Sequence, residues 1–263
     1  MPKVESGFNA QQDRILFAIL QGNSDLLEQL TQTIVGKAAF MRVYKDNYWF
    51  MDNDPTAMQA ILNSSTAMQA IANSSTAMQA IANSSTAMQA ILNSSTAMQA
   101  ILNSSTAMQA IASSPVAMNA LLKSSSSIKA MLRSSSIAVN AILSNLSTLQ
   151  NQQFFSRSAQ QQTYGGNGTS TYTIPSNSLI HITNLYSYDS TPSDVGASGT
   201  VTLIDEINQT QIGSYNMTGS GSTTTNIDVN LLCFGNLTNI RNVSGQFPSG
   251  FRLRITFTVY TAL

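Results

Sequence analysis

Charge is what this sequence has least of. Asp, Glu, Lys and Arg make up 9% of its 263 residues, against roughly 25% in ordinary soluble domains. The 12 acidic and 12 basic side chains cancel. A chain with no net charge and no basic block lacks the electrostatic footprint that a phosphate backbone requires, so nucleic acid is not an expected partner. The single cysteine, Cys233, excludes an internal disulfide, and with a single histidine, His181, no set of thiolate and imidazole ligands for zinc can be assembled. No apolar run approaches the ~18 residues that cross a bilayer, and the opening MPKVESGFNAQQ lacks the charged-then-apolar pattern of a signal peptide. Synthesis and use in the cytosol, without membrane insertion or cofactor, are therefore expected. The Asn-x-Ser/Thr triplets at Asn216 and Asn242 read as turns rather than glycosylation sites.

What is there in abundance is repetition. From Thr56-Ala57-Met58-Gln59-Ala60-Ile61-Leu62-Asn63-Ser64-Ser65 the chain recurs with a period of ten, with degenerate copies at Ala117-Met118-Asn119-Ala120, Ile128-Lys129-Ala130-Met131 and, one residue late, Ala138-Val139-Asn140-Ala141. Ala-Met-Gln-Ala-Ile-Leu consists of good helix formers, whereas Asn-Ser-Ser competes with the helix for backbone hydrogen bonds. Pro55 behind Asp54 and Pro115 behind Ser114 mark the first helical position behind an N-cap, which puts the equivalent caps at Ser64, Ser74 and Ser84. Thr66-Ala67-Met68-Gln69 also fits a capping box two residues later. Either phase restarts a helix in every copy and leaves Asn63 and Asn73 at helix C-termini, where Asn tolerates the left-handed conformation.

A continuous coiled coil fits poorly, because a 3-4-3 spacing lets the apolar seam drift by roughly 80° per decad on a relaxed helix. Two-turn helices broken at each Asn-Ser-Ser fit better. Such helices do not stand alone, and one copy offers only a Met, an Ile or Leu and small Ala residues. A stalk packed around an axis shared between chains is therefore expected, with Met58, Ile61, Met68, Ile71, Met78, Ile81, Met88, Ile91, Met98 and Ile101 as its core.

The flanks differ from the stalk. Residues 1–54 carry an amphipathic run at Ile15, Leu16, Ile19 and Leu20, a second helix opening at Asp25-Leu26-Leu27-Glu28, and an aromatic group at Tyr44, Tyr48, Trp49 and Phe50. That group is either a small local core or a docking surface. The stalk is expected over 55–145 and a polar, Gln- and Gly-rich linker over 146–168. Residues 169–263 alternate β-branched and aromatic residues with turn residues, as in Arg252-Leu253-Arg254-Ile255-Thr256-Phe257-Thr258-Val259-Tyr260. The fold class expected is thus α+β: a helical N-terminal module, an oligomeric short-helix stalk, and an antiparallel β-sandwich or jelly roll, together an elongated multi-module fibre.

Nothing in the head asks for catalysis. His181 sits mid-strand with no partnered nucleophile, Cys233 lies between Leu232 and Phe234 as a small hydrophobe, and Asp205-Glu206 face opposite sides of a strand and read as strand-end charges. The Ser-Ser-Thr-Ala-Met-Gln-Ala-Ile-Ala-Asn array resembles repeats of structural fibre proteins of tailed bacteriophages, chiefly over Pro55 to Ser144. That resemblance implies a non-enzymatic homotrimer in the virion, made in the bacterial cytoplasm and held at its N-terminus by other virion proteins of tail, neck or capsid. Its head would bind a host-surface glycan or protein, with Tyr186, Tyr188 and Tyr260 as candidate stacking surfaces. The alternative is a purely structural head or neck fibre, or a decoration protein, without a receptor.

Overall fold

A computed structural model describes residues 2–47, 54–190, 197–220, 223–245 and 248–263. The chain divides into two compact units, Met1–Leu121 with Ser135–Thr148 and Leu122–Ser134 with Leu149–Leu263.

The first unit is helical. Helices α1 (Pro2–Leu20), α2 (Ser24–Thr31) and α3 (Ile34–Asp46) precede the decad helices α4 (Pro55–Asn63), α5 (Ser65–Ala72), α6 (Ser75–Ala82), α7 (Ser85–Leu92), α8 (Ser95–Leu102), α9 (Ser105–Ala112) and α10 (Pro115–Leu122). Helix α11 (Ser126–Ser134) belongs to the second unit, and α12 (Ser136–Ser144) returns to the first. From α5 to α9 each decad is spent in the same way: eight helical residues of about 12 Å, a turn residue, and a serine cap. Ser64, Ser74, Ser84, Ser94 and Ser104 accept from the N–H of Ala67, Ala77, Ala87, Ala97 and Ala107, so the caps fall at the first serine and not at Thr66. Asp54 caps α4 in front of Pro55. The C-terminal asparagines are not left-handed as expected: Asn73, Asn83, Asn93 and Asn103 lie at φ −89° to −94° with ψ near zero, and their N–H groups return to Gln and Ile carbonyls of the last turn. This geometry needs no residue with positive φ.

Stacking follows a rule of three. Helix α7 packs on α4, α8 on α5, α9 on α6, and α12 on α9. The decads therefore coil with three helices per superhelical turn, successive turns being one helix–helix spacing of about 8–10 Å apart. Met68, Ile71, Met78, Ile81, Met88, Ile91, Met98 and Ile101 are buried inside this coil, Ile61 likewise, and Met58 is half-buried. This corrects the expectation of a core formed only around an axis shared between chains. One decad has too few apolar side chains for a core, but three decads facing one another supply three Met and three Ile to a common interior. The array is a solenoid closed on itself, in which each repeat is stabilised by its neighbours along the chain. Helix α2 packs on α4 and α5, α3 on α5 and α1 on α4, and together they form the base of the coil. Helix α1 is longer than the short amphipathic run expected, and buries Ile15, Ala18 and Ile19 while leaving Phe17 and Leu20 exposed.

The second unit is an eight-stranded antiparallel jelly roll: β1 (Phe155–Gly165), β2 (Gly168–Tyr172), β3 (Ser178–Asp189), β4 (Ala197–Asp205), β5 (Thr210–Ser220), β6 (Thr223–Cys233), β7 (Leu237–Gly245) and β8 (Phe251–Ala262). The strand order is β1-β8-β3-β6-β5-β4-β7-β2. Strands 1, 2, 3 and 4 pair antiparallel with 8, 7, 6 and 5 respectively, so the unit is one long hairpin rolled up, with β1-β8-β3-β6 and β5-β4-β7-β2 as its two halves. Ile180, Ile182, Leu185, Val201, Leu203, Leu253, Ile255 and Phe257 fill the core between them.

The Gln-rich stretch expected as a linker over 146–168 is not one. Residues 155–165 form β1, in register with β8 from Phe155↔Ala262 to Gly165↔Arg252, and the glycines after it form the corner by which the chain crosses from one half to the other. Buried Arg241 clamps this corner, donating from Nε to the Gly166 carbonyl at 3.0 Å.

Candidate functional site

Because the side-chain period of a strand is two, the β3 and β8 residues that do not enter the core stand together on the outer face of the β1-β8-β3-β6 half. The β8 residues Leu253, Ile255, Phe257 and Val259 are buried and Arg252, Arg254 and Thr256 alternate with them half-exposed, as the alternation predicted, whereas Thr258, expected on the wet face, is buried. On β3 a bulge between Ile182 and Asn184 shifts the phase, so His181 precedes it and Asn184, Tyr186 and Tyr188 follow it on the same outer face.

This face has a definite chemistry. The rings of Tyr186 and Tyr188 stack at 5.7 Å between centroids, 29° from parallel. The Arg254 guanidinium lies 5.5 Å from the Tyr186 centroid and 5.4 Å from that of Tyr188, within the range of cation–π attraction. Arg254 Nε is buried and meets no hydrogen-bond partner among the described residues. Beyond the aromatic pair runs a ladder of amides. Asn184 Nδ2 donates to Asn226 Oδ1 at 2.6 Å and to Asp228 Oδ1 at 2.9 Å, and His181 Nε2 lies 2.7 Å from Asn230 Oδ1. Such a surface offers two ring faces, one cation and several amide donors and acceptors, which suits a polar, ring-containing ligand. Tyr260, the third aromatic proposed as a stacking surface, is 4% exposed and presents no free ring face.

At the strand ends, Asp205 and Glu206 face apart. Asp205 is fully buried and its carboxylate accepts from the N–H groups of Phe234 (2.6 Å), Gly235 (2.9 Å) and Ile207 (3.1 Å). Gly235 is required here, since a Cβ would come within 2.7 Å of the Ile207 nitrogen. Glu206 accepts from Thr238, Thr171 and Asn236; the Thr238 hydroxyl does most to hold its carboxyl below the usual range, against a smaller opposing effect of burial. Cys233 is buried, and burial first, then the charge of Asp205, pushes its thiol well above the ordinary value. A thiol so placed is not a nucleophile at neutral pH.

Of the residues proposed for docking, Tyr44 is buried at 4% exposure and packs its ring 6.0 Å from that of Phe40, as part of the local core. Tyr48, Trp49 and Phe50 lie outside the described residues. Sequence reasoning missed Glu28, which leaves its own helix to accept from the Ser64 and Ser65 hydroxyls and the Thr66 N–H at the start of α5. Its position in a capping-box-like string pointed to α2, whose cap is in fact Asn23.

No protein-family model matches this sequence, and no curated protein is detectably similar to it in sequence. Among solved structures, 43% of the chain is similar to 93% of a protein from Bacillus endospore appendages, described as a novel family of disulfide-linked pili, at 10% identity and a TM-score of 0.27. A mutant VP2 protein of infectious bursal disease virus, from derived T=1 particles, matches 40% of the chain at 12% identity and a TM-score of 0.20. The structure of the Gt strain of that virus matches 43% at 13% identity and a TM-score of 0.20. The chain spans about a third of the length of the two viral proteins, 32% and 33%. Likenesses of this size carry no argument about what the chain does.

Proposed function

We propose that the protein is a non-enzymatic structural and attachment protein of a tailed-bacteriophage particle, in which the helical coil is a spacer held by the virion near its N-terminus and the jelly roll binds the host surface. The observation that carries the binding half of this reading is the outer β3–β8 face, where Tyr186, Tyr188 and Arg254, whose Nε meets no hydrogen-bond partner among the described residues, stand beside an amide ladder. The spacer half is supported by the resemblance of the decads to phage fibre repeats and by their self-contained packing, which allows length to change by whole decads. Since the Met and Ile core is used up within one chain, any homotrimer must be held by other surfaces. Weak single contacts at the head gain from such multiplicity.

The test is adsorption of labelled full-length protein to cells of the host bacterium. Saturable adsorption, weakened at least about tenfold by Tyr188→Ala and by Arg254→Gln, is the expected result, as losing a stacking and charge-bearing anchor implies. Absence of adsorption by the unsubstituted protein, at an oligomeric state fixed by light scattering, overturns the attachment reading and leaves a purely structural protein.

A further inference from the structure

Helix α11 departs from the coil to join the jelly roll, and it encloses there a cleft of about 370 Å³, within the size range of small-ligand sites. Its walls come from Ser126 and Lys129, from Ile174 and Pro175 of the β2–β3 connection, and from the turns carrying Glu206 and Asn236.

Two features make it more than a packing defect. Lys129 is 3% exposed, yet among the described residues its amine donates to the Ser176 carbonyl and meets no carboxylate. A desolvated ammonium without a counter-ion is costly and is relieved by an anion; burial accordingly holds the Lys129 pKa below the ordinary lysine value. The same cleft contains Glu206, whose carboxylate already has three neutral donors and can accept further hydroxyl protons through its remaining lone pairs.

We propose that this cleft binds a sugar acid, its carboxylate on Lys129, its hydroxyls on Glu206, Asn236 and Ser126, and its apolar ring face against Ile174 and Pro175. A ligand with one carboxylate, several hydroxyls and a compact ring matches this set, whereas a neutral sugar leaves Lys129 unpaired and a simple carboxylate leaves Glu206 and the apolar wall unused. The assignment stands on the cleft alone and does not require the outer sheet face to bind anything.

The experiment is calorimetric titration of the full-length protein with galacturonate, with glucose, acetate and alanine as comparison ligands, together with amide-shift mapping by NMR. Galacturonate is expected to bind most tightly and to shift the amides of Ser176, Gly235 and Asn236. Lys129→Met, which keeps the apolar stem, is expected to weaken binding at least about tenfold, as removal of a buried charge partner implies, and Glu206→Gln by a few-fold. Failure of the unsubstituted protein to bind galacturonate, equal binding of acetate, glucose or alanine, shifts confined to other parts of the chain, or unchanged affinity in a folded Lys129→Met protein each overturn the proposal. The shift mapping needs no variant and decides the matter if Lys129→Met does not fold. Host adsorption without galacturonate binding overturns the cleft and leaves the attachment reading standing.

Discussion

Ser104 Oγ donates a 2.6 Å hydrogen bond to the carbonyl of Ala72, thirty-two residues earlier, while accepting at 3.2 Å from the Ala107 N–H. One hydroxyl closes the N-terminus of its own helix and fastens one superhelical turn to the next. Ser94 does the same to Leu62 and Ser114 to Ala82, and Ser135 reaches Leu102 across thirty-three residues, one late like its decad. In these four decads one serine thus serves both helix restart and coil closure, and a decad unit keeps the two in phase.

Ser74 gives the comparison. Its hydroxyl caps Ala77 at 3.3 Å and makes no inter-turn bond to a described residue. Ser74→Ala is expected to cost about 1 kcal/mol, the ordinary value of a lost cap. Ser104→Ala loses the cap and also strands a buried carbonyl, for about 2–3 kcal/mol. Urea unfolding followed by helical circular dichroism checks the difference; equal costs would show that the inter-turn bond contributes nothing.

Glu28 makes the base of the coil pH-dependent. Burial pushes its carboxyl up, but the Thr66 N–H and the hydroxyls of Ser64, Ser65 and Thr66 outweigh that and hold its pKa below the ordinary glutamate value. A depressed folded-state pKa contributes stability that is fully present above the unfolded value, ~4.3, and is lost as pH falls through the folded one. Glu28→Gln is expected to lower stability by about 1 kcal/mol at neutral pH. Melting curves of the two proteins should converge under acid conditions, and a constant gap down to the acid limit would exclude the carboxylate as the cause.

Length should be adjustable only in whole repeats. Removal of residues 85–94 takes out one helix with its following cap and leaves every remaining serine in phase, so a cooperatively folded protein is expected. Removal of residues 85–89 destroys the phase and is expected to melt the coil from that point. Limited proteolysis of both deletions, read by mass, distinguishes the outcomes.

The Asp205 clamp holds the turns at the ends of β4 and β6. Asp205→Ala leaves the N–H groups of Phe234, Gly235 and Ile207 without their acceptor and is expected to destabilise the jelly roll by about 3 kcal/mol or more. Gly235→Ala, which forces its Cβ toward the Ile207 nitrogen, should damage the same turn. Thermal unfolding followed by the β-sheet signal tests both, and a change under 1 kcal/mol in Asp205→Ala would contradict the clamp.

Much of this fold is legible in residue order. Asp54-Pro55 and Ser114-Pro115 reveal the phase of the caps, and the alternation from Arg252 to Tyr260 separates the core face of β8 from its wet face. Strand β1 is less legible. Ser158, Gln160, Gln161 and Gln162 have the composition of a linker, and they form a strand because β8 offers them a hydrogen-bonding edge. Lys129 occupies the decad position that Gln69, Gln79 and Gln89 hold on the exposed surface, so nothing local announces its burial.

Helix breaks, caps and strand faces are decided among residues a few positions apart, through backbone dihedral preference and side-chain periodicity, and these the sequence settles alone. Which helix stacks on which, that three decads rather than three chains enclose the Met and Ile side chains, that α11 leaves the coil, and that Tyr188 meets Arg254 depend on contacts between distant segments. Loop closure and shape complementarity choose among those contacts, and neither is a property of any one stretch of residues.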